Sequence, residues 1–205
     1  MSHARHTHDG VKPGAEAGYY AGRIRAIEAL LIEKGVLTKD DVRRQIEYME
    51  ARSPANGARL VAKAWVDPGF KSRLLSDTKA AALELGMDAS GPIEFIVVEN
   101  TPQVHNLIVC TLCSCYPRAI LGRPPDWYKS FNYRSRAVKE PRAIMREFGF
   151  EPPDEVEVAV HDSTADARYM VLPMRPPGTE DMDERELAAL VTRDSLIGVS
   201  VPRYS

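Results

Sequence analysis

The sequence predicts an α+β protein, a helical N-terminal arm followed by a globular domain that mixes strands and helices. Three observations carry this. As far as Gly86 the apolar residues recur at helical spacing, whereas from Gly91-Pro92 onward short β-branched runs alternate with further helical stretches. A chain of 205 residues can bury one sizeable core and still spare an arm. The glycines are scattered, with no internal repeat and no phosphate-binding pattern, which argues against a repeat array or a nucleotide-binding sheet. The expected divisions are a disordered His-containing tail over 1–18, a helical arm over 19–86 and a globular domain over 87–205.

The tail carries His3, His6 and His8 among Gly and Pro with almost nothing apolar, so it cannot bury a core. It is either a solvated segment or a loose trap for metal, since imidazole suits cobalt, nickel and zinc. Ile24, Ile27, Leu30 and Leu31 then form one face of an amphipathic helix that Gly35 stops. Thr38 caps a second helix, running through Val42 and Ile46 to about Arg52, with Asp40 and Asp41 at its positive end. Ser53-Pro-Ala-Asn-Gly57 is expected to break it. A third helix holds Leu60, Val61, Ala64 and Trp65. Pro68 opens a fourth with Phe70, Leu74 and Leu75 on one face, and Lys79 to Leu85 add a turn or two before Gly86. Helices this short cannot bury all these faces alone, so part of the arm must pack on the remaining domain or on another chain, with Trp65 as an anchor.

Beyond Pro92, Ile93 to Val98 reads as a strand, Glu99-Asn-Thr-Pro102 as a turn and Leu107 to Val109 as a second strand. Pro124-Pro125 starts a helix with Trp127 and Tyr128, and Pro141 opens another that ends at Phe148-Gly149. Arg134, Arg136, Arg142 and Arg146 are either solvated helix charges or donors to an anionic site. Val156, Val158 and Val160 alternate as a strand, and Tyr169, Val171 and Leu172 are the expected hairpin partner across Asp162 to Asp166. Asp183 caps a last helix, with Glu184 and Glu186 in its first turn and Leu187, Leu190 and Val191 as its buried stripe.

With 27 basic and 29 acidic residues the net charge of −2 offers nothing to nucleic acid or to an anionic membrane. No apolar run approaches the roughly 18 residues of a spanning helix, and no hydrophobic segment follows Met1 as a signal peptide would. The expected location is the cytoplasm.

All three cysteines, Cys110, Cys113 and Cys115, lie in the stretch Val-Cys-Thr-Leu-Cys-Ser-Cys-Tyr-Pro over 109–117. An odd number of crowded thiols is no disulfide framework. A structural zinc site wants four tetrahedral ligands, and the nearest fourth, His105, sits awkwardly in a strand. With Ser114 alone between Cys113 and Cys115, the peptide must turn tightly around whatever the sulfurs hold, which brings the backbone nitrogens of Ser114 and Cys115 to the same point. Three sulfurs and two deprotonated amides make five ligands of an octahedron and leave the sixth position open. Such a strong-field set suits a trivalent low-spin cobalt or iron. Ser114 has no base placed beside it by sequence, so a serine nucleophile is not indicated.

The run Cys110-Thr-Leu-Cys113-Ser-Cys115 resembles the metal-binding motif of the nitrile hydratase alpha subunit, and Trp65-Val-Asp-Pro-Gly-Phe-Lys-Ser-Arg-Leu-Leu75 and the closing Asp194-Ser-Leu-Ile-Gly-Val199 resemble further segments of it. The resemblance implies a layered α/β globular domain and makes 87–205 the metal-binding part. In that family threonine at the second motif position goes with cobalt and serine with iron, so Thr111 and Tyr116 imply a non-corrin Co(III), with Fe(III) the alternative. It implies that Cys110, Cys113, Ser114 and Cys115 hold the metal, with Cys113 oxidised to sulfinate, Cys115 to sulfenate and Cys110 left a thiolate. Cys115, Cys113 and Ser114 would then carry catalysis, nitriles being hydrated to amides by attack of either the Cys115 sulfenate oxygen or a metal-held hydroxide. Implied partners are a beta subunit in a heterodimer or heterotetramer, whose arginines hold the oxidised sulfurs, a small nitrile, and an activator or metallochaperone.

Two places depart from that pattern. Arg118-Ala119 stand where the family typically has Trp-Pro, and His161 and Met174 stand where Trp and Gln are expected. Arginine after Tyr-Pro resembles instead the gamma subunit of thiocyanate hydrolase, a relative with the same claw, and a guanidinium there would favour an anion. A third reading, from another class, is a zinc-binding or redox-sensing module built on the same cysteines.

Overall fold

The computed structural model describes residues 15–204, with side chains from Gly18 onward. The three tail histidines lie outside the described residues. Helix α1 (Ala15–Glu33) begins inside the tail expected over 1–18.

Contacts divide the chain into two units, Met1–Tyr48 and Met49–Ser205. The expected arm 19–86 falls across this division, with its last three helices in the second unit. In the first unit, α1 ends in a turn where the N–H groups of Lys34, Gly35 and Val36 donate to the carbonyls of Leu30, Ile32 and Leu31. Helix α2 (Lys39–Glu50) starts with a reciprocal cap: the Asp41 N–H donates to Thr38 Oγ1 at 3.1 Å, and the Thr38 N–H donates to Asp41 Oδ2 at 2.8 Å.

The second unit opens on α3 (Pro54–Val66), α4 (Pro68–Ser76) and α5 (Thr78–Glu84). The segment expected as a break, Ser53 to Gly57, is the cap and first turn of α3, because Pro54 is tolerated where its missing N–H has no intrahelical partner. A Cβ on Gly57 would come 2.4 Å from Leu121 Cδ2 and 2.8 Å from Leu196 Cδ1, so this glycine lets α3 seat against the core. Asp67 caps α4 by accepting from the Phe70 N–H at 2.9 Å. Leu60, Val61, Phe70 and Leu74 are buried, and Trp65 Nε1 donates to the Pro173 carbonyl at 2.8 Å.

Four strands follow: β1 (Glu94–Glu99), β2 (Val104–Val109), β3 (Glu157–Asp162) and β4 (Ala167–Leu172). The expected hairpin between the last two does not form. Instead β1 pairs in parallel with β4, and β2 in parallel with β3, as separate two-stranded sheets. Each parallel pair spans a long crossover, as parallel pairing requires, and the short connection over 163–166 passes the chain from one sheet to the other. Between β2 and β3 lie α6 (Arg118–Leu121), α7 (Asp126–Lys129), α8 (Phe131–Lys139) and α9 (Pro141–Glu147). The single helix expected after Pro125 is broken at Ser130, whose Oγ caps α8 by accepting from the Tyr133 N–H at 3.1 Å. After β4, α10 (Glu184–Leu190) carries the expected Asp183 cap with Glu186 closing the box, and Thr192 with Ser195 does the same for α11 (Arg193–Ile197). Among the described residues no helix is long and apolar enough to cross a membrane.

Candidate metal centre

Strand β2 ends at Val109 and delivers Cys110 into the core, where its side chain is fully buried. The chain then turns through Thr111 to Pro117 before α6 begins. Cys113 is exposed and Cys115 half-buried, so the three sulfurs run from core to surface along one loop. Cys110 Sγ lies 3.5 Å from Cys113 Sγ, and Cys113 Sγ lies 3.2 Å from Cys115 Sγ. All three are free thiols within 4.8 Å of one another, a donor set that fits a soft or borderline metal ion.

The Cys113 N–H donates to Cys110 Sγ at 3.3 Å. Hydrogen bonds from the Cys115 and Cys110 thiols, and then from the backbone N–H groups of Ser114 and Cys115, bring Cys113 down to about 7. Burial first, and then the hydrogen bond with Cys113, pushes Cys115 up to about 12. The Ser114 and Cys115 amides named from the sequence act on the Cys113 sulfur.

The loop rests on an aromatic floor. Tyr128 OH donates to the Cys115 carbonyl at 2.8 Å and Tyr133 OH to the Ile108 carbonyl at 2.6 Å, so the chain is held at both ends of the cysteine run. Tyr116 meets Tyr128 edge-on at 5.2 Å, and Trp127 meets Tyr133 and Phe148 at 4.8 Å each.

His105 is not brought to the sulfurs. It is buried, its Nε2 bonded to the Gly198 carbonyl at 2.7 Å and its Nδ1 to Asn100 Nδ2 at 3.2 Å, and among the described residues the metal-ligating group contains the three cysteines alone. His161 bonds Asn106 Oδ1 at 2.8 Å and lies against Tyr169, while Met174 is exposed. Of the four arginines singled out from the sequence, only Arg134 reaches the loop, donating from Nη1 to the Thr111 carbonyl at 3.2 Å. Arg136 pairs with Glu140 and Glu147, Arg146 with Glu151, and Arg142 donates to carbonyls that include Pro152 at 2.8 Å. Arg118 is exposed at the start of α6, directly after the loop.

Sequence reasoning missed Asp162 and Arg168. Asp162 accepts from the Thr111 N–H at 2.9 Å and from Thr111 Oγ1 at 2.5 Å, and the positive charge of Arg168 on β4 lowers Cys115 against its burial. Neither has a local signal: the pairing of β3 with β2 sets Asp162 beside the loop, and Arg168 comes from the other sheet.

The family model for the nitrile hydratase alpha chain matches residues 18–200. The chain belongs to this family. It is 52% identical over 183 residues to the alpha subunit of the low-molecular-weight cobalt-containing nitrile hydratase of Rhodococcus rhodochrous, covering 89% of this chain and 88% of the relative. It is 44% identical over 189 residues to the gamma subunit of thiocyanate hydrolase from Thiobacillus thioparus, covering 87% and 78%. Among solved structures, a double mutant of the Fe-type nitrile hydratase of Comamonas testosteroni superposes with a TM-score of 0.82 at 45% identity, over 90% of this chain and 91% of that one. The α+β class expected from sequence is the class observed.

Proposed function

We propose that this chain is the metal-carrying catalytic subunit of a nitrile hydratase that converts nitriles to amides at a non-corrin, low-spin Co(III). The observation that carries the reading is the convergence of three thiol sulfurs on one loop, with the Ser114 and Cys115 amides acting on the Cys113 sulfur. Cobalt is favoured over iron by Thr111 in the motif and by the cobalt-containing relative. When bound, the ion supplies Lewis acidity toward the nitrile.

This chain's residues would do the rest. Cys110, buried, stays a thiolate, whereas Cys113 and Cys115, nearer the surface, are reached by oxidant and become sulfinate and sulfenate. Ser114 contributes its backbone nitrogen, and the aromatic floor keeps water from the inner side of the loop. A beta-type subunit would close the outer side, and an activator or metallochaperone would deliver the ion. Elemental analysis with mass spectrometry of the loop peptide tests this. Stoichiometric cobalt and the masses of sulfinate at Cys113 and sulfenate at Cys115 are expected; zinc, or unmodified thiols in active enzyme, would overturn it.

A second reading, a thiocyanate hydrolase gamma-type subunit, has Arg118 behind it. An exposed guanidinium at the end of the loop would favour an anionic substrate. Assay of the assembled complex with an alkyl nitrile and with thiocyanate separates the two. Carbonyl sulfide from thiocyanate with no amide from the nitrile would reverse the order of preference.

A further inference from the structure

Thr111 has every one of its polar groups in use. Its N–H and its Oγ1 donate to the two carboxylate oxygens of Asp162, and its carbonyl accepts from Arg134 Nη1. Arg134 is steadied in turn by donating from Nε to the Lys129 carbonyl at 3.2 Å. Asp162 is the last residue of β3 and lies in register with Val109, and the next N–H, that of Ser163, donates to the Val109 carbonyl at 2.7 Å. The carboxylate is therefore anchored to the same ladder that delivers Cys110. None of these bonds runs through a sulfur.

We propose that Asp162 and Arg134 act together as a clamp on Thr111 that holds the cysteine loop in its ligand-presenting shape before any ion enters. Both are positioning residues. The inference rests on reading the loop as a metal centre. Asp162 fixes the peptide plane between Cys110 and Thr111, and Arg134 fixes the plane between Thr111 and Leu112. With two successive planes held, Thr111 keeps little torsional freedom, and Cys110 and Cys113 stay close enough for the Cys113 N–H to reach Cys110 Sγ. Both grips are charge-assisted, a carboxylate holding an N–H and a hydroxyl, and a guanidinium holding a carbonyl. Ordering a loop costs backbone entropy. A loop ordered on folding spares the metal that cost and binds it more tightly. The hydroxyl of Thr111 thus has a task apart from the metal: it is one of three handles by which the fold holds the loop.

The test uses the full chain, reduced and stripped of metal, as wild type and as Asp162→Asn, Arg134→Gln, Thr111→Val and Thr111→Ser. Two quantities are read: amide hydrogen exchange along the loop and along β2 and β3, and cobalt(II) affinity from sulfur-to-cobalt charge-transfer absorption. Asp162→Asn and Thr111→Val should speed exchange at the loop amides about tenfold or more and weaken cobalt about 10–100-fold, the usual range for groups that orient metal ligands. Arg134→Gln should do the same to a lesser degree. Thr111→Ser, which keeps the hydroxyl, should stay within about threefold of wild type, and β2 and β3 should be unchanged in all four. Wild-type loop exchange and wild-type cobalt affinity in Asp162→Asn would overturn the clamp, as would exchange raised equally through both strands, which would mean general loss of fold. Failure of the wild-type chain to take up cobalt would sink the metal reading instead, and loop exchange would then decide the clamp by itself.

Discussion

At the scale of single residues, the three cysteines are unequal although all lie within six consecutive positions. Cys110 is fully buried and accepts an N–H, so its replacement removes a ligand and leaves a hole in the core, whereas Cys113 is exposed and its loss disturbs the ligand set alone. Cys113→Ser should lower bound cobalt at least tenfold with little change in urea midpoint, because a serine hydroxyl does not ionise as a thiol does. Cys110→Ala should lower both, with a stability loss of about 1–2 kcal/mol for the emptied buried site. Elemental analysis and urea unfolding of the two variants check this, and an equal stability loss in both would contradict it. The cysteines were legible in the sequence because their chemistry and spacing are local. What holds them was not, because Thr111 and Asp162 are 51 positions apart and Arg134 lies 23 beyond Thr111. Arg134 could be singled out from the sequence only as one of four equivalent charges.

At the scale of elements, the caps were legible and the pairing was not. Thr38 and Asp183 act as expected, since a cap is decided by the next few residues. Alternation marked Val158 and Val160 as strand but cannot say which strand lies beside them, and proximity in sequence pointed to a hairpin the fold does not use. The end of α11 sits close against β2. Gly198 there has φ 88°, and a Cβ on it would fall 1.9 Å from the Asn106 carbonyl oxygen, whereas Gly149 has φ 79° with nothing in reach. Gly198→Ala should therefore cost about 3 kcal/mol or more, and Gly149→Ala only the left-handed penalty of about 1–2 kcal/mol. Equal urea midpoints for the two would contradict the close approach. The Gly198 carbonyl also accepts from buried His105, whose burial holds its pKa below the ordinary 6.5. The folded chain thus refuses a proton that the unfolded chain takes. Stability is fully present above about pH 6.5 and is lost as pH falls from there toward the depressed folded value. His161, depressed by burial as well, adds to the same slope. Urea midpoints between about pH 7.5 and 5 should fall in wild type and fall less steeply in His105→Gln.

For the whole molecule, the open question is what covers the first unit. Helix α1 exposes Ile24 at 64%, Ile27 at 56% and Leu30 at 48%, with Tyr19 and Tyr20 exposed beside them, although their spacing is that of a buried stripe. The sequence required part of the arm to pack on the domain or on another chain. Helices α3 to α5 do pack in the core of the second unit, and α1 keeps an apolar face of the kind that marks an interaction surface. The cysteine loop is exposed too, with Leu112 at 88%, and on the proposed function it faces a beta-type partner. The full chain purified without that partner should therefore self-associate and show little turnover. Ile24→Asp with Ile27→Asp should make it monodisperse, since a charge on the stripe opposes burial against any copy. The same double variant, co-expressed with the partner, should give less complex while keeping its own metal-binding loop intact, because neither residue belongs to the unit that holds the cysteines. Size-exclusion chromatography with light scattering, together with cobalt content, reads both effects. Monodisperse and fully active wild-type chain, alone, would show that α1 needs no cover.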